Sequence, residues 1–182
     1  MKEKHAMFDC ETLGVGNHPI LLSLACVIFD EDGRSVDTYH RHIDVKEDQF
    51  GAKFSGSTVL WWMGQSEEAR GAILAGQKNP DSFYASIYGL HNFFEEHKVA
   101  TVWSYGARAD LTWIDNALNT VFDKNPCWTY RQERCLRTVG AIFDPEGEMR
   151  PKPTIAHDAL ADAQSQVAWL TNMAIRNPVF GI

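Results

Sequence analysis

Apolar residues cluster at a two-residue period early in the chain and at a helical period later. Residues 5–10 form an apolar segment in which Phe8 and Cys10 share one strand face while Asp9 and Glu11 share the other. Residues 20–29 are almost continuously apolar and read as a buried strand. The intervening residues 14–19 carry Gly14, Gly16, Asn17 and Pro19 and read as a loop. Asp30, Glu31, Asp32 and Gly33 make a turn, and residues 34–43 return as an alternating strand. Three strands on short connections imply an antiparallel meander.

The period then lengthens. Residues 57–64 carry Leu60, Trp61, Trp62 and Met63, and Ser66-Glu67-Glu68 opens a further helix with acids in its first turn. Pro80 and Asp81 open a longer helix through residue 97, with Phe83, Ile87, Leu90, Phe93 and Phe94 on its apolar face. Residues 99–104 read as a short strand, 110–121 as an amphipathic helix, 128–130 as a brief strand and 131–143 as a helix. A loop over 144–153 leads to a last helix from near residue 157 to 176. Strands followed by alternating helices and strands predict an α/β fold, a mixed sheet with helices packed on it.

Composition adds little tension to this picture. The 182 residues suit one domain over 1–182, and 45% hydrophobic with 23% charged residues is ordinary for a globular chain. No apolar run approaches the roughly 20 residues of a membrane span, and residues 1–5 lead into a strand without a signal-peptide core, so a cytoplasmic protein is expected. Cys10, Cys26, Cys127 and Cys135 lack zinc or redox spacing and are expected as reduced thiols.

The chemistry lies in scattered acids. Asp9 and Glu11 stand roughly 6.5 Å apart along a strand, a reach that suits divalent ions held about 3.5–4 Å apart. Two acids on an apolar strand resist burial unless something positive sits between them; the alternative is an edge strand with both in solvent. Asp110 follows the segment Ser104-Tyr105-Gly106-Ala107-Arg108-Ala109, where a strand gives way to a helix and clefts of α/β sheets form. Taken alone it reads first as a helix N-cap or a dipole-stabilising acid. In the last helix, Asp158 and Asp162 are paired by helical spacing. His157 and Asp162 are five apart, and converge only if His157 precedes the helix or sits on a loosened first turn. Small Ala159, Ala161 and Ala163 would let this helix approach the sheet closely.

Taken together, these segments resemble the DEDDh family of 3′-5′ exonucleases: an Asp-x-Glu pair (Asp9, Glu11), an Asp after a Gly-containing loop (Asp110), and a His-x4-Asp pair (His157, Asp162). A narrower resemblance is carried by residues 8–14, 57–70, Arg137-Thr138 and residues 157–163. It is to the phage and bacterial branch that includes exodeoxyribonuclease A of T-even phages, proteins called exodeoxyribonuclease VIII, and a mycobacterial exoribonuclease. Many relatives carry Asn-Gly-x-x-Phe-Asp at the second site where this chain has Tyr105-Gly106-Ala107-Arg108-Ala109-Asp110.

The resemblance implies a ribonuclease H-like fold and a phosphodiesterase acting at a free 3′ end of DNA or RNA, with nucleoside 5′-monophosphates as products. It implies that Asp9, Glu11, Asp110 and Asp162 hold two divalent cations, Mg2+ or Mn2+, and that His157 is the general base. It also implies substrate contacts at Leu13, Gly14, Trp61 and Gln65, a phage- or prophage-encoded origin, and a homodimer as one assembly. Arg131, Arg134 and Arg137 would share one helix face, touching phosphates or pairing with neighbouring acids. The net charge of −7 does not oppose this, because four carboxylates and two divalent cations cancel locally. The alternatives are a ribonuclease H- or resolvase-like endonuclease and a catalytically silent nucleic-acid-binding module.

Overall fold

The computed structural model describes residues 2–177. Its β-branched and aromatic runs form a five-stranded mixed sheet: β1 Lys4–Thr12, β2 Leu21–Asp30, β3 Ser35–His42, β4 Thr101–Ser104 and β5 Glu133–Cys135, in the order β3-β2-β1-β4-β5. The first three strands are the expected antiparallel meander, and β4 and β5 add in parallel. Six helices flank them: α1 Gly56–Met63, α2 Glu67–Gly76, α3 Phe83–His97, α4 Asp110–Phe122, α5 Leu136–Phe143 and α6 Ala159–Arg176. None is long and apolar enough to cross a membrane among the described residues.

Strand alternation sorts the core into two layers. Ala6, Phe8 and Cys10 of β1 face α3 and α4, packing among Phe94, Leu111 and Ile114. Met7, on the opposite face, packs with Trp103, Leu136, Val167 and Leu170 beneath α5 and α6. Asp9 and Glu11 share the parity of Met7, so they emerge beneath α6. The small side chains work as expected there: Ala159 and Ala163 are buried in that layer. A third cluster of Leu22, Trp62 and Ala69 seats α1 and α2 near the sheet's end.

Two expectations need correction. Residues 128–130 are not a strand, and the helix does not start at residue 131. Thr129 and Gln132 form a capping box around a single 3-10 turn over Tyr130–Gln132; the Thr129 N–H donates to Gln132 Oε1 at 2.9 Å. Trp128 turns inward against Phe8 and Phe94, with ring centres 5.4 and 5.6 Å away. The strand comes afterwards, pairing Glu133, Arg134 and Cys135 with Val102, Trp103 and Ser104. Arg131, Arg134 and Arg137 therefore lie on three different elements rather than on one helix face. None of them forms an ion pair within the described residues.

Gly140 marks where α5 crosses α6. A Cβ there would overlap the ring of Trp169. That ring is buried and fixed by its indole N–H, which donates to Asp144 Oδ2 at 2.7 Å, so it has little room to retreat. Gly140→Ala is expected to cost about 1–3 kcal/mol, as overpacking does, read as a lower urea midpoint with unchanged slope.

Candidate active site

Asp9 and Glu11 leave β1 on the face that α6 covers, and Glu11 is only 8% exposed. Asp110 opens α4 but does not cap it; Ala109 holds the cap position. Its Oδ1 instead accepts the Cys10 N–H at 3.1 Å, which anchors the α4 terminus to β1 between the two strand acids. α6 supplies the rest. Asp158 caps it by accepting the Ala161 N–H at 3.0 Å, so Asp158 and Asp162 do not act as a matched pair. His157 lies outside the helix in the left-handed region, with φ of 62°. That bend turns its backbone N–H onto Asp162 Oδ2 at 2.9 Å, and the five-residue offset closes. A ring nitrogen of His157 and carboxylate oxygens of Glu11 and Asp162 then lie within 4.8 Å of one another.

Gln166 is a site residue that sequence reasoning does not single out. Its amide donates to Asp9 Oδ1 at 2.6 Å, and it is only 4% exposed. It stands one turn beyond Asp162, so a single helix orients two of the acids. The available signal is a glutamine within the apolar stripe of Ala159, Ala163, Val167 and Leu170, since a buried amide requires a partner.

A cleft of about 420 Å³ opens beside the acids, lined by Glu11, Thr12, Ser57, Trp61, Trp62 and Trp113 among others. Trp62 is buried, and its indole N–H donates to Thr12 O at 2.9 Å. Trp61 is 45% exposed and meets the His157 ring edge-on, centres 4.8 Å apart. Leu13, Gly14 and Gln65 are not among the residues that line this cleft. Leu13 packs against Leu22, Trp62 and Ala69 and lines a separate apolar groove with Val59 and Ile73. Gly14 sits where a Cβ would press on the Lys53 carbonyl. The Gln65 amide, just beyond the end of α1, donates back to Trp61 O at 3.0 Å.

The electrostatics are those of a site short of positive charge. None of Asp9, Glu11, Asp110 and Asp162 forms an ion pair within the described residues. Burial first, and then the fields of Asp110, Glu11 and Asp162, hold Asp9 far above the usual carboxylate range. Burial, then Asp162 and Asp110, push Glu11 up to about 8. Burial lifts Asp110 to about 6, although backbone N–H donors oppose it. Burial also raises Asp162, against the His157 N–H. Hard oxygen donors that repel one another in a dry site fit divalent cations.

The protonation state has a consequence for stability. Between about pH 4 and pH 8 the unfolded chain releases carboxyl protons that the folded chain keeps, so the metal-free protein should lose stability as pH rises through that window. Urea unfolding in chelator at pH 5 and pH 8 measures it. Adding Mg2+ or Mn2+ should restore the loss at pH 8, because bound cations favour the ionised acids.

Residues 4–174 match the Rv2179c-like family, the 3′-5′ exoribonuclease Rv2179c-like domain. The exodeoxyribonuclease of Enterobacteria phage T4 is 25% identical over 194 residues, 88% of this chain and 85% of that protein. The structure of exonuclease I superposes with a TM-score of 0.74 at 16% identity, covering 98% of this chain and 42% of that one. E. coli exonuclease I in complex with a dA16 oligonucleotide gives a TM-score of 0.72 at 16% identity over the same shares of both chains. The chain thus spans under half of exonuclease I, and at that identity the likeness is one of fold, the ribonuclease H-like arrangement of sheet and helices. The chain belongs to the Rv2179c-like 3′-5′ exoribonuclease domain family and is a 3′-5′ exonuclease.

Proposed function

We propose that the protein hydrolyses the last phosphodiester bond of single-stranded nucleic acid and releases nucleoside 5′-monophosphates. Asp9, Glu11, Asp110 and Asp162 would hold two divalent cations, Mg2+ or Mn2+, and His157 would take a proton from the attacking water. The observation that carries this reading is the convergence of β1, α4 and α6 on one cluster of uncompensated acids beside an imidazole. Bound there, two cations would relieve charge on the phosphate oxygens and acidify water.

The chain's own groups do the positioning. Gln166, the Cys10 N–H and the His157 N–H each fix one carboxylate, so the acids need little rearrangement on loading. The His157 ring lies within reach of Glu11 and Asp162 oxygens and can accept a proton released between them. The terminal nucleoside enters the tryptophan-lined cleft, where stacking is worth about 1–3 kcal/mol per base. Trp61 is the exposed stacking surface, and Trp62 is the wall that holds it.

The test uses 5′-labelled and 3′-labelled DNA and RNA strands, linear and circular, with Mg2+, Mn2+ or chelator. The expected result is a ladder that shortens from the 3′ end, labelled mononucleotide from 3′-labelled strands, intact circles and silence in chelator. Opened circles would assign an endonuclease instead.

A further inference from the structure

Two arginines stand close enough to the acid cluster for their fields to reach it, Arg137 acting on Asp110 and Arg150 on Asp162, with no ion partner among the described residues. Arg137 is in the first turn of α5 and Arg150 is in the loop before α6; both are exposed. Their guanidinium carbons lie 4.7 and 4.6 Å from the centre of one ring, that of Tyr105. Arg150 also lies 5.2 Å from the Trp169 ring. The ion pairs among the described residues use Lys2, Arg34, Arg41 and His97, and leave these two unpaired.

Both arginines are held by backbone that is itself tied down. The Arg137 N–H donates to Tyr105 O at 3.0 Å, and Gly106 leaves space for the guanidinium, since a Cβ there would stand 3.2 Å from Nη2. Arg150 follows a loop fastened to α6: Asp144 Oδ2 accepts the Met149 N–H at 3.0 Å, and Asn172 donates to Met149 O at 3.0 Å. Stacking on an aromatic face compensates only weakly for two like charges held against the same ring, at about 0.5–1 kcal/mol for an exposed site. Unpaired planar forks in this arrangement match a phosphate, which each can engage with two N–H donors.

Position decides which phosphate. The tryptophan cleft lies on the α1 side of Asp9 and Glu11, whereas Tyr105 and Arg137 follow β4 and β5 on the other side. A strand with its last nucleoside in the cleft and its scissile phosphate over the acids, continued in the same direction, leaves across β4 and β5. We propose that Arg137 and Arg150, seated on Tyr105, form a subsite for the backbone phosphate immediately 5′ of the scissile bond. The ligand class is a polynucleotide phosphodiester. This rests on the active-site reading above.

Chain length separates the subsite from the active site. A 5′-hydroxyl dinucleotide carries only the scissile phosphate, and a trinucleotide adds one upstream. Wild-type kcat/KM should rise from the first to the second. In Arg137→Ala/Arg150→Ala that gain should fall about tenfold, and the salt slope on a longer strand should flatten by about 1 for each arginine removed. Dinucleotide hydrolysis, which reads only the fields of Arg137 and Arg150 on Asp110 and Asp162, should change far less than trinucleotide hydrolysis, and all readings should be unchanged in Arg131→Ala. The proposal is overturned if wild type gains nothing from the extra phosphate, if the double variant keeps the gain, or if dinucleotide hydrolysis falls equally. Wild type inactive on both substrates with either metal would overturn the active-site reading as well.

Discussion

Asp9→Asn and Glu11→Gln should each stop hydrolysis while leaving the metal-free fold intact and, at alkaline pH, firmer. Each amide keeps the shape of the acid it replaces and removes its charge. For Asp9→Asn the Gln166 amide still finds an acceptor oxygen, so the side chain stays in place. The loss should be on the order of 10³-fold or more, because the proposed shared cation site would be dismantled rather than a single hydrogen bond removed. The stability effect has the opposite sign. Wild-type Glu11 keeps its proton when folded until about pH 8 but loses it when unfolded near its ordinary value of 4.5. The metal-free wild type is therefore penalised progressively above that value, and Glu11→Gln is not. In chelator the two should unfold alike near pH 4 and diverge by about 4 kcal/mol at pH 8, the linkage expected for a shift from 4.5 to about 8, with the variant more stable. A variant that is inactive because it is misfolded would be less stable at both.

His157→Ala should lose about 10²- to 10⁴-fold in kcat, the range of a general base, and still bind Mn2+. The reason is the division of labour within this one residue. Its ring faces the Glu11 and Asp162 carboxylates, whereas its backbone N–H holds Asp162 in place. Substitution removes the first and keeps the second. Alanine is disfavoured at φ of 62°, by about 1–2 kcal/mol, so His157→Asn, which tolerates that region, is the companion variant. Equal rate losses in both, with equal Mn2+ affinity, would place the effect on the imidazole. Loss of Mn2+ binding in both would make His157 a ligand instead.

The parts of this site written in short-range pattern are legible without the fold. Alternation alone sets Asp9 and Glu11 on one face of β1, and the glycine-containing loop marks Asp110 as the start of a helix. What alternation does not carry is the partner across space. The N–H of Cys10, one hundred residues from Asp110, is what fixes that carboxylate. His157 meets Asp162 through a left-handed backbone at a non-glycine residue, for which the sequence offers no marker. Gln166 escapes because a lone glutamine in a helix reads as one more solvated polar residue rather than as a buried one. The misplaced fifth strand has a different cause. Three residues are too few to show a period, and only the Thr129-x-x-Gln132 cap reveals the turn before it.

The proposed function makes Asp9, Glu11, Asp110 and Asp162 joint holders of bound cations. Calorimetric titration of the metal-stripped protein with Mn2+ at pH 6 and pH 8 tests that sharing most directly. The expected result is saturable binding that tightens with pH, releases protons and is lost or severely weakened in Asp9→Asn, Asp110→Asn and Asp162→Asn alike. Binding that persists unchanged in those variants, or no binding to the wild type at either pH, would contradict it.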